Sequence, residues 1–206
     1  NYNDGGSTCK LRIVYGPRQS DIIVRMIDIH CHFLPNIDDG SKSWEETMER
    51  ARMAVSGGEK PAGSRSARVE GAVMTPHWIQ GTTWQPAPET VRSLVAEMNE
   101  RLGAEGIDFT AYPGMEIGII PDLPRVLSDG QILPLAEGEF VLMEIPFYSL
   151  PIGLEEVIFG IETQGKKAVL APPERNREFQ GSPKRILDFV NSGALVQITA
   201  GSLTGG

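Results

Sequence analysis

Short apolar runs alternate with amphipathic segments along most of the chain. The runs have the length and composition of buried parallel strands, and we predict strands at Met26–His30, Gly71–Met74, Thr110–Tyr112, Phe140–Ile145, Lys167–Ala171 and Leu195–Thr199. The intervening segments repeat apolar residues at helical spacing and predict helices at Ser43–Val55, Pro88–Leu102, Leu123–Leu127, Leu154–Gln164 and Pro183–Val190. This alternation predicts an α/β fold of parallel βα units, as a barrel or as an open doubly wound sheet.

The first predicted helix has a defined start and one apolar face. Ser43 is a candidate N-cap, and Glu46 three residues later completes a capping box. The apolar residues repeat every three or four positions, at Trp44, Met48, Ala51 and Val55. We expect this face to pack on the strands.

Composition and charge narrow the class of protein. The chain has 206 residues, enough for one domain, and a formal net charge of −8, which argues against a nucleic-acid partner because phosphate binding needs a basic surface. Its two cysteines, Cys9 and Cys31, are too few for a disulfide framework. No run of about 18 apolar residues predicts a membrane-spanning helix, and the first residues lack a signal-peptide pattern. We expect a cytoplasmic protein without membrane insertion.

Three regions depart from the regular pattern. Residues 1–25 are interpreted as a non-core leader, which leaves a predicted domain over 26–206. The final ITAGSLTGG ends without a closing helix, and we interpret it as a domain whose last βα units are missing, with a flexible tail as the alternative. Residues 59–70 carry Lys60, Arg65 and Arg68 and are predicted to be a surface insert, with a basic anion-binding loop as the alternative.

Polar residues follow the predicted strands at their carboxyl ends, where α/β folds build their sites. They occur in MIDIHCHFLPNIDDG, MTPHW and YPGME, as His30, His32, Asp38, Asp39, His77 and Glu116. This set contains all three histidines of the chain. We therefore predict that these residues converge on metal.

The spacing of the first two histidines supports a metal site. His30 and His32 are two residues apart, so on a strand they point the same way and can bind one ion together. Imidazole with carboxylate suits zinc, manganese or iron, and several such groups can hold more than one ion. Taken alone, His77 or Glu116 would have a structural role as often as a ligand role, and the two aspartates have an Asp-Gly turn with Gly40 as an alternative.

Other hydrolytic chemistries do not fit the sequence. Cys31 lies between the two histidines and should face away from them as a packed residue. Cysteine phosphatases place an arginine six residues after the nucleophile, but Ile37 and Tyr15 stand at those positions. No Ser–His–Asp arrangement is evident, and no glycine-rich phosphate loop follows a strand. We expect any hydrolysis to use water activated by metal.

Four motifs together resemble the polymerase-and-histidinol-phosphatase (PHP) superfamily: MIDIHCHFLPNIDDG, MTPHW, YPGMEI and APPERN. The chain more closely resembles the bacterial manganese-dependent protein-tyrosine phosphatases of capsule and exopolysaccharide operons, the CpsB/CapC family, from Met26 to its last residues. The resemblance implies a distorted βα barrel of the PHP type, with a cluster of divalent ions at the carboxyl ends of parallel strands. Manganese is the first expectation, with zinc and iron as alternatives.

The resemblance also implies a role for each matched residue. The expected metal ligands are His30, His32, Asp39, His77 and Glu116, with Glu116 as the bridge between ions. Arg175, in PERN, would contact the substrate phosphate, and together with Asp39 it forms the expected catalytic set. The implied reaction is hydrolysis of phosphotyrosine on a tyrosine kinase that controls capsular or exopolysaccharide synthesis.

The sequence departs from the family pattern at the site itself. Pro172 stands where the family has a histidine, and the family's late Asp-x-His ligand pair would come after Gly206. Each missing ligand is expected to weaken metal binding. Two further hypotheses stay open: a phosphoesterase of the same superfamily that acts on a small ester such as histidinol phosphate, and a catalytically impaired remnant that still binds the kinase.

Overall fold

A computed structural model describes residues 24–56 and 67–204 of the protein. The strands are β1 (Val24–Cys31), β2 (Ala67–Met74), β3 (His77–Trp78), β4 (Thr110–Pro113), β5 (Glu116–Gly118), β6 (Phe140–Glu144), β7 (Lys167–Ala171) and β8 (Leu195–Val196). The helices are α1 (Trp44–Ser56), α2 (Pro88–Ala104), α3 (Leu123–Ser128), α4 (Leu154–Glu162), α5 (Arg177–Gly181), α6 (Lys184–Asn191) and α7 (Ala200–Thr204). Short 3₁₀ turns occupy Leu135–Glu137 and Pro173–Arg175.

The strands form two parallel sheets. One has the order β1-β2-β4 and the other the order β3-β5-β6-β7-β8. One stretch of chain passes from β2 into β3, and another passes from β4 into β5, so each supplies a strand to both sheets. Every strand pairing in the described part is parallel, and the carboxyl ends of all the strands therefore point the same way.

The prediction of an α/β fold with parallel strands is confirmed, and most predicted elements occur within a few residues of their expected bounds. Two bounds at the ends of elements are wrong. β2 begins at Ala67, so residues 67–70 belong to a strand and not to the predicted insert, and Arg68 pairs with Asp108. β8 ends at Val196, and residues 197–199, where the strand was expected to continue, have no regular structure; a short helix that was not predicted begins at Ala200. Most of the predicted leader, the rest of the predicted insert with Lys60 and Arg65, and the last two residues lie outside the described residues, at 1–23, 57–66 and 205–206.

Two strands that carry site residues were not predicted. β3 has two residues and β5 has three, which is too short for a periodic pattern to be visible. Pairing between them places His77 directly beside Glu116. These short strands are the reason why two residues far apart in sequence become neighbours.

The start of α1 differs in part from the predicted capping box. The backbone N–H of Glu46 donates to Ser43 Oγ at 3.2 Å, so Ser43 caps the helix as expected. The Glu46 carboxylate accepts from the backbone N–H of Lys42 at 2.7 Å and not from that of Ser43, so the second half of the box is wrong. Met48 and Ala51 are buried on the apolar face, as predicted.

The helices pack on the sheets through their apolar faces. Met98 of α2 and Ile161 of α4 are fully buried in one apolar core with Trp78 and Met115. Burying such side chains is the main term that holds the layers together. Among the described residues, no helix combines the length and the apolar character needed to cross a bilayer.

A side chain connects β1 to the region after β8, although these two strands do not pair. β1 is an edge strand of the three-stranded sheet and β8 is an edge strand of the five-stranded sheet, and no backbone pairing joins them in the described part of the chain. A side-chain hydrogen bond between His30 Nδ1 and Gln197 Oε1, 2.8 Å long, connects the region after β8 to β1. The parallel α/β architecture is therefore present, while a closed barrel is not seen in these residues.

Candidate metal centre

The carboxyl ends of β1, β6, β7 and β8, together with the first residues of β3 and β5, surround a cavity of about 570 Å³. All five predicted metal ligands line it, together with Arg175 and Pro172. β1 supplies His30 at its end and His32 directly after it, whereas β3 and β5 supply His77 and Glu116. The structure thus brings together every residue that was predicted for the site.

Glu116 lies at the centre of the cluster. Its side chain is only 3% exposed, and its Oε1 is 3.1 Å from His30 Nε2. Its Oε2 is 3.3 Å from His32 Nε2 and 3.2 Å from His77 Nδ1. One buried carboxylate therefore contacts all three imidazoles, which is the arrangement expected of a bridging ligand.

Asp38 supports this cluster from behind. Its Oδ2 accepts a hydrogen bond from His32 Nδ1 at 2.7 Å and one from the backbone N–H of His77 at 3.1 Å. Its Oδ1 accepts from the backbone N–H of Gly40 at 2.8 Å, which is the predicted Asp-Gly turn. A Cβ at residue 40 would lie 2.2 Å from the carbonyl oxygen of His32, so this turn requires glycine.

The hydrogen bonds of two histidines define which ring nitrogen faces the cluster. The Nδ1 atoms of His30 and His32 contact the oxygen atoms of Gln197 and Asp38, so in the neutral rings Nδ1 carries the proton. In that neutral form each Nε2 has a lone pair for a cation, whereas in the protonated form each Nε2 donates to Glu116. Metal-binding histidines are commonly oriented by such an acceptor behind the ring.

Glu144 and His77 extend the cluster on its other side. Glu144, at the end of β6, has its Oε2 3.4 Å from His77 Nδ1. That buried nitrogen has no partner with hydrogen-bond geometry among the described residues, although the carboxylates of Glu116 and Glu144 are close. An unsatisfied buried ring nitrogen between two carboxylates fits a cation ligand.

The donor atoms are close enough to share cations. Three sets each keep their ligand atoms within 4.8 Å of one another: His30, His32 and Glu116; His32, Asp39 and His77; and His77, Glu116 and Glu144. The sets overlap through shared residues. Mixed imidazole and carboxylate donors of this kind suit manganese, iron or zinc, so the residues fit a cluster of divalent ions.

The same contacts shift the protonation of the cluster. Burial lowers the pKa of His32, but hydrogen bonds to Asp38 and Glu116 outweigh burial and raise the pKa to about 10. Burial raises the pKa of Glu116, but hydrogen bonds from His30 and His32 outweigh it and lower the pKa to about 2. Protons on the imidazoles thus balance the buried carboxylate, and a bound cation would replace them.

The two predicted catalytic residues lie on the solvent side of the cavity. The Asp39 side chain is 59% exposed, and its Oδ1 is 3.6 Å from His77 Nε2. Arg175 is exposed at the end of the 3₁₀ turn after β7, and its guanidinium makes no ion pair within the described ranges. Pro172 lines the same cavity and offers no ligand atom.

Cys31 is a packed residue, as predicted. It is 7% exposed, and its Sγ contacts the carbonyl oxygen of Val73 at 3.5 Å. Burial raises the pKa of its thiol well above the usual value, which disfavours the thiolate.

Sequence reasoning missed several residues that line the cavity, among them Glu144, Trp84, Phe147 and Gln197. Glu144 is the last residue of β6 and the last but one of the predicted strand, so the rule that located Glu116 also pointed to this region. Gln197 and Trp84 come from loops, and only the tertiary structure shows that they contact His30 and His77.

The fold and the cavity define a class: a parallel α/β protein with a histidine and carboxylate metal centre at the carboxyl ends of its strands. The sequence matches the model of the family described as "Capsular polysaccharide synthesis, CpsB/CapC" over residues 26–206. The chain therefore belongs to the CpsB/CapC family, as its motifs predicted.

Named relatives and a solved structure are similar to most of the chain. It is 36% identical over 180 residues to the tyrosine-protein phosphatase YwqE of Bacillus subtilis (strain 168), covering 87% of this chain and 66% of the relative. It is 25% identical over 175 residues to the tyrosine-protein phosphatase CpsB of Streptococcus pneumoniae, covering 85% of this chain and 68% of the relative.

A chain from the crystal structures of YwqE and CpsB, described as metal-dependent tyrosine phosphatases, superposes with a TM-score of 0.79 at 36% identity. The match covers 87% of this chain and 68% of the solved one. The present chain thus spans about two thirds of the length of these relatives.

Proposed function

We propose that the protein is a metal-dependent phosphatase that hydrolyses phosphotyrosine. The observation that carries the proposal is the contact of one buried carboxylate, Glu116, with all three histidines of the chain. Family membership and the similarity to named tyrosine-protein phosphatases support the same reaction.

The proposed ligands are the residues predicted from the sequence together with Glu144: His30, His32, Asp39, His77, Glu116 and Glu144. When bound there, divalent cations, manganese in our proposal, supply positive charge that activates water and stabilises charge developing on the phosphoryl group. Glu116 is the proposed bridge, because both of its oxygens face imidazole nitrogens.

The side chains around the ligands have their own proposed tasks. Asp38 holds His32 in the orientation that points Nε2 towards Glu116. The Arg175 guanidinium binds a phosphate oxygen at the mouth of the cavity, which suits its fork of donors. Asp39 is the most exposed of the proposed ligands and is therefore the one next to an incoming substrate.

The substrate that we propose is a phosphotyrosine on a tyrosine kinase of capsular or exopolysaccharide synthesis, and we assign the chain to the cytoplasm. The family description supports the link to capsular polysaccharide synthesis, and the names of the relatives support phosphotyrosine as the group that is hydrolysed. We also propose that the two sheets belong to a distorted βα barrel of the PHP type. The parallel strand pairing and the approach of the Gln197 side chain to β1 support that architecture.

Hydrolysis of a phosphotyrosine peptide tests the function. We expect the purified chain to release phosphate when manganese is added, to stop when EDTA is added, and to lose turnover in His30→Ala. Full activity of His30→Ala would contradict the proposal. A panel of substrates that includes histidinol phosphate tests the alternative function, a phosphoesterase for small esters. A higher kcat/KM for histidinol phosphate than for phosphotyrosine would favour that alternative.

One observation favours a second candidate function. Pro172 lines the cavity where the family pattern has a histidine, so the chain has one potential ligand fewer. A binding protein that captures the kinase without turnover would tolerate this loss. Pro172→His should then raise manganese affinity by about tenfold or more, as a gained ligand would. Unchanged metal content in Pro172→His would remove the motive for this alternative.

A further inference from the structure

Two aromatic side chains line the metal cavity without contributing a metal ligand. Trp84 comes from the loop after β3, and Phe147 comes from the loop after β6. Arg175 lines the same cavity, so a cation for phosphate and two aromatic faces share one space of about 570 Å³. Cavities of that size accommodate small organic ligands.

Trp84 is held rigidly against the metal cluster. Its ring is nearly parallel to that of His77, with 5.3 Å between the ring centroids and 13° between the planes. The backbone carbonyl of Trp84 accepts from the backbone N–H of Ile79 at 2.6 Å, and the backbone N–H of Trp84 donates to Thr82 Oγ1 at 3.1 Å. The loop turns at Gly81, whose φ of +77° favours glycine. Trp84 is therefore positioned before any ligand arrives.

Phe147 combines a fixed backbone with an exposed ring. Its carbonyl accepts from the backbone N–H of Arg177 at 2.9 Å. The side chain of Asn176, which is fully buried, donates to the carbonyl of Pro146 at 2.7 Å. The Phe147 residue nevertheless remains 57% exposed. Because Phe147 lines the cavity, its exposed ring is available to a ligand, as aromatic side chains in concave sites commonly are.

We propose that Trp84 and Phe147 form an aromatic rim that selects aryl phosphate esters over alkyl phosphate esters. The phosphate of the substrate lies towards the metal ligands and Arg175, and its aromatic ring packs on the rim. This inference rests on the proposed phosphatase function and adds the residues that would give it tyrosine over serine specificity. Serine and threonine esters lack a ring and gain nothing from the rim.

The test compares paired ligands on the manganese-loaded full chain. Affinity for phenyl phosphate and for methyl phosphate is measured in initial-rate assays as the constant for competitive inhibition of peptide hydrolysis, and kcat/KM is measured for phosphotyrosine and phosphoserine peptides of one sequence. We expect Trp84→Ala to lower the phenyl phosphate affinity and the phosphotyrosine kcat/KM by about 10-fold, the size of an aromatic contact. The values for the two alkyl esters should change less than about twofold.

Three further variants separate the rim from structural effects. Phe147→Ala should give the same selective loss, and Trp84→Phe should restore most of the selectivity because a ring remains. Phe159→Ala is the matched control, since Phe159 is also exposed, at 68%, but lies on α4 away from the cavity. Phe159→Ala should leave the affinities and the kcat/KM values for aryl and alkyl ligands unchanged. The manganese content should be equal in all variants.

The outcomes distinguish this inference from the function on which it rests. If the unmutated chain hydrolyses phosphotyrosine but Trp84→Ala and Phe147→Ala lower aryl and alkyl values equally, the aromatic rim is wrong and the phosphatase function stands. If the unmutated chain neither binds nor hydrolyses any of the four phosphate esters, the proposed function fails and the rim fails with it.

Discussion

Two cavities of different chemistry lie on the same parallel strands. The metal cavity is lined at the carboxyl ends by histidines and carboxylates. The second cavity, of about 410 Å³, is lined by Ile27, Ile29, Val73, Tyr112, Leu135, Ala136, Phe140, Val169, Leu195 and Val196. β6 shows the division within five residues, because Phe140 at its start lines the apolar cavity and Glu144 at its end lines the metal cavity.

The difference between the cavities shows what makes a buried charge tolerable. Glu116 is as buried as the apolar residues near it, but it contacts three imidazoles. Val73 is equally buried, at 3% exposure. It packs in an apolar cluster with Leu135, Leu142 and Val169, and no member of that cluster is cationic. A carboxylate is thus stabilised at one end of the strands and would be costly in the apolar cavity.

The largest effect is expected when the central carboxylate loses its charge. Glu116→Gln removes the charged partner of three imidazoles. Because loss of a residue behind a ligand already costs about 10- to 100-fold in metal affinity, loss of the central ligand charge should cost at least about 100-fold in manganese affinity. The manganese affinity and the kcat/KM for phosphotyrosine should both fall by that factor or more. Glu137→Gln is the control, since Glu137 is an exposed partner of Arg92. Normal metal content in Glu116→Gln would show that the cluster does not depend on this residue.

The converse substitution adds a carboxylate to the apolar cavity. Val73→Asp should lower the free energy of unfolding by about 3 kcal/mol or more, because the new charge lacks a partner. Urea denaturation of the EDTA-treated protein measures this change, and Val73→Ala controls for the lost volume. A stability equal to that of Val73→Ala would mean that the second cavity is more polar in solution than its lining suggests.

A smaller effect is expected behind the cluster. Asp38→Asn keeps the size of the side chain but removes the charge that orients His32, and such changes typically cost about 10- to 100-fold in metal affinity. Competition with a metal-sensitive dye measures the affinity. Asp108→Asn is a suitable control, because Asp108 pairs with Arg68 at the surface. Equal affinities in the two variants would show that Asp38 serves the turn and not the ligand.

The smallest change is expected from pH on the EDTA-treated chain. Because the pKa of His32 is raised from 6.5 to about 10, its contribution to stability is complete below pH 6.5 and is lost as pH rises towards 10. The pKa of Glu116 is lowered from 4.5 to about 2, so its contribution is present above pH 4.5 and is lost as pH falls towards 2.

The melting temperature should therefore be highest between about pH 4.5 and 6.5 and should decline above it. Manganese should suppress the decline, because cations compete with those protons and bind more tightly as pH rises. A melting temperature that rises from pH 6.5 to 9 without metal would contradict these shifts.

The sequence predicted much of this arrangement because its main features are local. His30 and His32 share a strand face, and the order of apolar runs defines parallel βα units. The features that it missed depend on tertiary contacts. The short strands β3 and β5 are defined by tertiary pairing, β3 with β5 and β5 also with β6, and Gln197 reaches His30 across 167 residues.

Two neighbouring aspartates, Asp38 and Asp39, also have roles that the sequence could not distinguish. Sequence alone gave Asp38 and Asp39 the same type and context, and the resemblance favoured only Asp39 as a ligand. In the fold, Asp38 is buried and orients His32, whereas Asp39 is exposed beside His77. Their different roles follow from which side of the turn faces the sheet, and no residue pattern encodes that.

The most direct test of the central claim is anomalous diffraction at the manganese edge from crystals of the chain soaked in manganese. The account predicts anomalous peaks in the metal cavity, between Glu116 and the rings of His30, His32 and His77, that vanish in Glu116→Gln. Peaks confined to other surfaces, or no peak beside Glu116 at saturating manganese, would contradict it.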